Sequence, residues 1–270
     1  MMDYSRLPLI SIITIVFNGE HYLQECINSI KKQAYSNIEY IIIDGKSTDN
    51  TLKIIEQNRD VVNVLVSEKD RGISDAFNKG IALAKGELIG ILNSDDFYTD
   101  NCIAEVVDYY LANLKKPGIY YGNIRYFDDD SSHIRISEYS SIWKYMSIYH
   151  PSVFVSKKVY EEIGVFSEEY KYTMDAELLH RAIAKKVSFY HIDKWLSNFR
   201  TVGTSDVNYK KTYKEFFKSV AKYNNRGIKT QFWYFWALFK KDISRTKIGT
   251  YFYNRKHLIS ALLSGKIKKG

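Results

Sequence analysis

Four apolar, β-branched runs, each separated from the next by one amphipathic helix pattern, constrain this chain more than any other feature. The runs are Leu9–Phe17, Ile38–Ile43, Val61–Val66 and Leu88–Leu92. Their near-continuous apolar character predicts strands buried on both faces. Between them, Tyr22, Leu23, Cys26, Ile27 and Ile30 are spaced for one helix face. Ser47-Thr48-Asp49 then offers caps to a helix carrying Leu52, Ile54 and Ile55. Ile73–Ala84 is a third helix, ended by Lys85-Gly86, and another runs from Asn101 to about Leu114. Strands separated by single helices predict a parallel, Rossmann-like sheet.

After Pro117-Gly118 the texture changes. Ile119–Phe127 and His133–Ser137, joined by Asp128-Asp129-Asp130-Ser131, read as antiparallel strands around a turn. Mixed short elements run to Arg200, and from Tyr209 the chain reads as helical, basic and aromatic. A main domain over residues 1–205 with a helical appendage over 206–270 is the expected organisation. Cys26 and Cys102 lie inside helical patterns, with neither metal-ligand spacing nor a disulfide framework, which suits a reducing compartment. The first strand begins within a few residues of Met1, so no signal peptide is expected. The most apolar late stretch, Phe232 to Phe239, stops at Lys240-Lys241 and is too short to cross a bilayer. A cytoplasmic protein, at most resting on the inner face of the membrane, is the expectation.

Charge sharpens that expectation. The net charge is +8, and between Lys240 and Gly270 nine basic residues face the single acid Asp242. An anionic partner is implied, a lipid surface or phosphorylated substrate before nucleic acid, although a solvated helix surface accounts for the same residues. Phe232, Phe235, Trp236 and Phe239 share one helix face, flanked by Lys229, Lys240 and Lys241. Such a stripe suits a membrane interface, or packing onto the main domain.

Polar residues gather where the strands end. Strand one runs into Asn18-Gly19-Glu20, strand two into Asp44, strand three into Glu68 and Asp70, and strand four into Asn93-Ser94-Asp95-Asp96. In a parallel sheet those ends share one edge, and ligands bind there. Carboxylates converging on one edge repel each other unless a cation or donors sit among them, and hard oxygen ligands suit Mg²⁺ or Mn²⁺. Taken singly, Asp95-Asp96 also suits a turn leading into a helix, and Asp44 a loop cap. Neither a G-x-G-x-x-G after strand one nor a G-x-x-x-x-G-K-[ST] occurs, which weakens dinucleotide and P-loop readings.

These segments, with Ile43 to Thr51, Asp70 to Gly80, Leu92 to Asp96, His150-Pro151-Ser152, Gly164-Val165-Phe166, Asp175-Ala176-Glu177-Leu178 and Phe199-Arg200, resemble the family 2 glycosyltransferases in order and spacing. The resemblance covers about residues 8 to 205 and is nearest to bacterial enzymes that build surface polysaccharides. It implies a GT-A fold, a mixed α/β sheet flanked by helices, and an inverting transfer from a nucleotide-sugar, a UDP-sugar first, to a saccharide or lipid-linked saccharide. It also implies roles. Asp44 matches the acceptor of a uracil N–H, and Thr14, Phe17 and Glu20 the wall around that base. Asp70 and Asp75 match positions near ribose, sugar or structural support, and Lys79 one that reaches a phosphate, although a solvated helix face also accounts for Asp75 and Lys79. Ser94 and Asp95 match the ribose side, and Asp95 and Asp96 the motif for Mn²⁺ or Mg²⁺. Asp175 matches the general base, a position that also suits a cap for the helix after it. His150, Trp143 and Arg200 fall on the acceptor or metal side.

The sequence departs from the family pattern in four places. Gly45-Lys46 follow Asp44 where many relatives carry a second acid, Asn93 stands for the first aspartate of D-x-D, Met174 precedes the base in place of glutamate, and Thr201 to Ser205 only partly follows the usual ending. Tyr120, Tyr121, Tyr126, Trp143, Tyr145 and Tyr149 offer aromatic faces for an acceptor sugar or for the core. Two competing functions use the same elements: a nucleotidyltransferase, which Phe17-Asn18-Gly19-Glu20 resembles poorly, and a non-catalytic sugar-nucleotide module. Oligomeric state is left open.

Overall fold

β1 (Ile10–Val16) and β2 (Ile38–Asp44) run side by side in parallel, with Ile10 opposite Ile38 and Val16 opposite Asp44. Almost every side chain in both is buried, which is what their unbroken apolar sequence requires. β3 (Val64–Ser67) pairs in parallel with β2, and β4 (Leu88–Ile91) in parallel with β1. β3 begins later than its apolar run predicts, because Asn58 and Asn63 take Val61 and Val62 into a turn: Asn58 O accepts from both valine N–H groups and Asn63 Oδ1 from Tyr40 N–H at 2.7 Å. This computed structural model describes residues 7–128, 131–200 and 208–224, with 232, 234–236 and 238.

Beyond β4 the sheet changes direction. β5 (Phe97–Tyr98), β6 (Ile119–Phe127), β7 (Ser132–Arg135), β8 (Val153–Ser156) and β9 (Phe189–Arg200) complete it in the order β3-β2-β1-β4-β8-β6-β9-β5, with β7 paired to β6. β8 is antiparallel to both β4 and β6, while β6 and β9 are parallel. The result is the mixed sheet that the resemblance implies. The hairpin of β6 and β7 is present, with the tip residues Asp129 and Asp130 outside the described residues.

Strand alternation sends the two faces to different helices. Ile10, Ile12, Tyr40 and Ile42 pack against α1 (Leu23–Lys31), α2 (Thr51–Glu56) and α4 (Cys102–Ala112). Ile13, Ile41 and Ile43 pack against α3 (Ile73–Leu83), α5 (Lys157–Ile163) and α6 (Met174–Ala184). Cys26 and Cys102 are free thiols inside the first of these layers.

α7 (Tyr209–Asn224) docks onto α6 through Phe216, Phe217 and Val220 against Ala176. Ser219 Oγ meets buried His180 Nδ1 at 2.9 Å, Tyr223 O–H donates to Glu177 at 2.6 Å, and Glu215 accepts the N–H groups of Lys171 and Tyr172. The expected boundary at 205 lies outside the described residues, as do Phe239, Lys229 and the basic run from Lys240. Phe232, Phe235 and Trp236 are exposed, and Tyr234 meets Phe217 edge-on at 5.6 Å. Among the described residues no helix is long and apolar enough to cross a membrane.

One close approach ties the sheet to the turn before β4. Gly86 N–H donates to Ser11 Oγ at 2.8 Å, and a Cβ at Gly86 would stand 2.4 Å from the Ser11 backbone nitrogen. Backbone cannot yield as a flexible side chain can. Gly86→Ala is therefore expected to cost about 1–3 kcal/mol, read as a lower urea midpoint at unchanged slope. An unaltered midpoint would show that β1 and the turn can separate freely.

Candidate active site

The loops leaving β1 and β2 hold each other by backbone N–H groups. Asn18 N–H donates to Ser47 Oγ (2.8 Å), Gly19 N–H to Thr51 Oγ1 (2.8 Å) and Glu20 N–H to Asp49 Oδ2 (3.1 Å). In return Thr48 N–H donates to Asn18 Oδ1 (2.9 Å), and Asn50 gives Glu20 Oε2 both its backbone and amide N–H. Asn18 and Lys46 take positive φ, 51° and 66°, at the points where the two loops turn. Glu20 is thus a loop clasp, while Phe17 stands 67 % exposed on the edge.

Thr14 and Asp44 are fully buried. Tyr40 O–H donates to Thr14 Oγ1 at 3.1 Å on the α1 side of the sheet, so the Thr14 side chain backs the edge from within the core. Asp44 accepts from Ser47 N–H with both oxygens at 3.2 Å and from Ser67 Oγ at 2.6 Å. Its carboxylate caps the Gly45–Ser47 turn, as a loop cap would. Gly45, beside it, brings Phe17 and Asp70 against bare backbone; a Cβ there would lie 3.0 Å from Asp70 Oδ2 and 3.4 Å from the Phe17 ring.

Lys79, expected to reach a phosphate, is committed elsewhere. Its ammonium pairs with Glu68 (2.8 Å), Asp70 (2.8 Å) and Asp75 (3.3 Å), which pushes its pKa up, Asp70 contributing most. Asp75 also accepts Arg71 N–H at 3.0 Å, and that bond is first among the causes holding its carboxyl below the usual range. These three carboxylates therefore share one lysine, and Arg71 also pairs with Asp75.

Among the described residues no lysine pairs with the next loop. Asp96 is 1 % exposed; its Oδ1 accepts Arg200 N–H at 3.1 Å and its Oδ2 is buried without a partner. Burial, and then the charge of Asp95, push the Asp96 pKa well up. Burial also raises that of half-buried Asp95, against the pull of Arg200. An unpartnered carboxylate oxygen beside a second carboxylate suits an oxygen-ligated divalent cation whose other positions are filled by phosphate and water. Asp95 and Asp96 are the residues that would hold it; among the described residues no group of three or more His, Cys, Asp or Glu gathers to bind an ion unaided. Ser94 sits against Gly19, where a Cβ would meet its hydroxyl at 3.3 Å. Arg200 lies against this loop. Its guanidinium lies over Tyr22 (4.2 Å) and Phe127 (4.5 Å), pairs with Glu25 (3.0 Å) and donates to Asp95 O (3.4 Å).

Asp175 opens α6, with Oδ1 accepting Ala176 N–H at 2.8 Å. Burial pushes its pKa up to about 6. An apolar pocket lined by Ile91, Val155, Tyr160, Phe166 and Leu178 adjoins it and supplies that environment. His150, in the 3-10 turn before β8, faces Asp175 Oδ2 from Nδ1 at 3.8 Å and Asn93 Nδ2 from Nε2 at 2.9 Å. Burial lowers the His150 pKa to about 4, so the ring is neutral at pH 7.

The aromatic residues divide sharply. Tyr120 and Tyr121 are core. Trp143, expected on the acceptor or metal side, instead stacks on buried His180 at 4.6 Å and 13° and packs towards α7, because that imidazole offers a flat, buried partner. Tyr126 and Tyr149 meet at 5.5 Å, and Phe199 links Tyr126 (5.1 Å) to His150 (6.0 Å). Ser67, Tyr22 and Phe127 were not singled out by the sequence, and only the position of Ser67 at a strand end could have marked any of them.

Comparison with known proteins follows the geometry. The model of the family described as Glycosyl transferase family 2 matches residues 11–171. The glycosyltransferase GlyG of Streptococcus pneumoniae is 39 % identical over 126 residues, 45 % of this chain and 40 % of that protein. The UDP-Glc:alpha-D-GlcNAc-diphosphoundecaprenol beta-1,3-glucosyltransferase WfgD of Escherichia coli is 33 % identical over 132 residues, 48 % of this chain and 50 % of that one. The chain thus spans half or less of these two relatives' lengths. A mannosyltransferase of Pyrobaculum calidifontis, solved with GDP-Man and Mn²⁺, superposes with a TM-score of 0.64 at 16 % identity, over 97 % of this chain and 83 % of that one. That likeness carries the GT-A fold.

The carboxylates around Lys79 generate a pH-dependent expectation. A carboxyl depressed in the folded state, as at Asp75, contributes stability above its unfolded value and loses it as pH falls through the folded one. Lys79→Met should therefore lower Tm at pH 7, and the gap to the unsubstituted protein should shrink below about pH 4. An equal gap at pH 7 and pH 3 would mean that Lys79 acts through its hydrocarbon stem.

Proposed function

The chain belongs to glycosyl transferase family 2, and on that premise we propose that it moves a sugar with inversion from a UDP-sugar to a saccharide or lipid-linked saccharide in bacterial surface polysaccharide synthesis. The observation that carries this reading is Asp175, a carboxylate raised to about 6 beside an apolar pocket and joined through His150 to the loop that carries Asp95 and Asp96. A base raised to that value is ionised at neutral pH yet accepts a proton more readily than an ordinary carboxylate.

The nucleotide lies along the strand ends. Its base rests on exposed Phe17 beside Gly45, with Asp70 near the ribose and Asp44, Thr14, Glu20 and Asp75 supporting the loops behind it. Asp95 and Asp96 are the residues that would hold Mn²⁺ or Mg²⁺ beside the diphosphate. The cation, when bound, supplies positive charge to the departing diphosphate. Asp175 Oδ2, the carboxylate oxygen not occupied by Ala176, takes the acceptor hydroxyl proton while the hydroxyl oxygen bonds to the anomeric carbon and the bond to the nucleotide diphosphate breaks. Attack opposite the leaving group turns an α-linked donor into a β-linked product. Tyr126, Tyr149 and Phe199 border the approach to Asp175 and give an acceptor sugar aromatic faces.

WfgD, which takes UDP-Glc as donor and a diphosphoundecaprenol-linked acceptor, supports the donor and acceptor classes, while the Pyrobaculum enzyme's GDP-Man makes guanine the alternative base. A panel of UDP- and GDP-sugars with Mn²⁺, scored by nucleotide release and repeated with EDTA, tests both. Release from UDP-sugars that EDTA abolishes is expected; release from GDP-sugars alone would overturn the base assignment.

Asp175→Asn should bind UDP normally and lose transfer by at least about 10²-fold. In the unsubstituted enzyme, kcat/KM should rise with pH through about 6, because Asp175 must be ionised to accept a proton and His150 stays neutral across that range. Normal turnover by the variant would remove Asp175 from the chemistry.

A further inference from the structure

Asn93 and His150 stand between the loop of Asp95–Asp96 and the helix of Asp175, and their hydrogen bonding has a direction. The Asn93 backbone is pinned, its carbonyl accepting Asp96 N–H at 3.1 Å and the Cys26 thiol at 3.5 Å. Its amide nitrogen lies 2.9 Å from His150 Nε2, and its Oδ1 is buried without a partner. An amide N–H is only a donor, so Nε2 must accept and the ring proton must sit on Nδ1. Nδ1 is the nitrogen that faces Asp175 Oδ2. Turning the amide over would put the proton on Nε2 and aim the Nδ1 lone pair at a carboxylate, and it would still leave one amide atom unpaired. The orientation with Nδ1–H towards Asp175 therefore wins on electrostatics.

We propose that His150 is a positioning residue for Asp175, and that Asn93 selects the imidazole tautomer that makes it one. This deepens the proposed function and rests on it for its kinetic part only. With Oδ1 held by Ala176 N–H and Oδ2 facing the Nδ1–H group, the carboxylate is fixed from both sides. The 3.8 Å separation is longer than a hydrogen bond, which leaves Oδ2 open to an acceptor hydroxyl and lets the contact tighten when one binds. His150 takes no proton, since Nδ1 already carries one and Nε2 is engaged by Asn93. The same chain joins the diphosphate loop to the base, so displacing Asn93 disturbs Asp175 without touching it.

An aspartate at position 93 has nearly the same shape but can only accept when ionised, which forces the proton to Nε2 and reverses the tautomer. The test uses the full chain with ¹⁵N-labelled histidine and long-range ¹H–¹⁵N correlation spectra at neutral pH, with His150 assigned by the signal lost in His150→Asn. The Nδ1–H form is expected in the unsubstituted protein and the Nε2–H form in Asn93→Asp. An Nε2–H or doubly protonated ring in the unsubstituted protein overturns the proposal, and this readout needs neither activity nor a folded variant beyond the assignment. In kinetics, His150→Leu should lose about 10–100-fold in kcat with KM for the donor nearly unchanged. His150→Asn, whose amide nitrogen replaces Nδ1–H, should retain several-fold more kcat than His150→Leu. Equal losses in the two variants also overturn the positioning role. Normal turnover by Asp175→Asn would instead sink the assignment of the base and leave the tautomer result standing.

Discussion

Backbone N–H groups at the ends of β1 and β2 have no further strand to pair with, and each loop satisfies those of the other. Three N–H groups of Asn18, Gly19 and Glu20 reach side chains of the second loop, and side chains of Asn18 and Glu20 accept N–H groups of Thr48 and Asn50. Unpaired backbone donors at a half-buried edge are costly, so this exchange fixes both loops at once. Phe17 is held out over the edge, Asp44 is drawn in beneath it, and Gly45 lets Asp70 close against the chain. The rest of the edge is built on that frame.

Charge is managed in two contrasting ways along it. Glu68, Asp70 and Asp75 share Lys79 and are stable without a ligand. Asp95 and Asp96 have only Arg200, which reaches them mainly through its backbone N–H and its Nε, while its guanidinium is spent on Glu25, Tyr22 and Phe127. Burial without full compensation is what raises both pKa values. Across from it, Asp175 owes its raised pKa to apolar surroundings, so one site combines carboxylates tuned for different tasks by environment alone.

Docking of α7 bears on the same residue from outside. Glu215 fixes the backbone at Lys171 and Tyr172, and Tyr223 binds Glu177, so α7 grips the segment that presents Asp175 from both of its ends. His180 and Trp143 complete that joint. Trp143 is stacked within that joint, whereas Tyr126 and Phe199 group beside His150.

The order of strands and helices up to α4 and the family were legible in the sequence, because periodic burial and loop motifs are local and survive in one dimension. So was the set of polar strand ends. The second half of the sheet was less legible: β5 has two residues, and β9 lacks a period-2 pattern, with Asp193-Lys194, Trp195-Leu196 and Ser197-Asn198 falling as like pairs. Residue roles were the least legible of all. The partners that Lys79 and Asp44 take in the fold, three carboxylates for the one and Ser47 and Ser67 for the other, could not be read from position alone. The sequence alone determined which residue types meet at the sheet edge. Only the tertiary structure decided which of them are already paired and which, like Asp96 Oδ2 and Asp175 Oδ2, are left to act, because pairing depends on distances between segments and not on order along the chain.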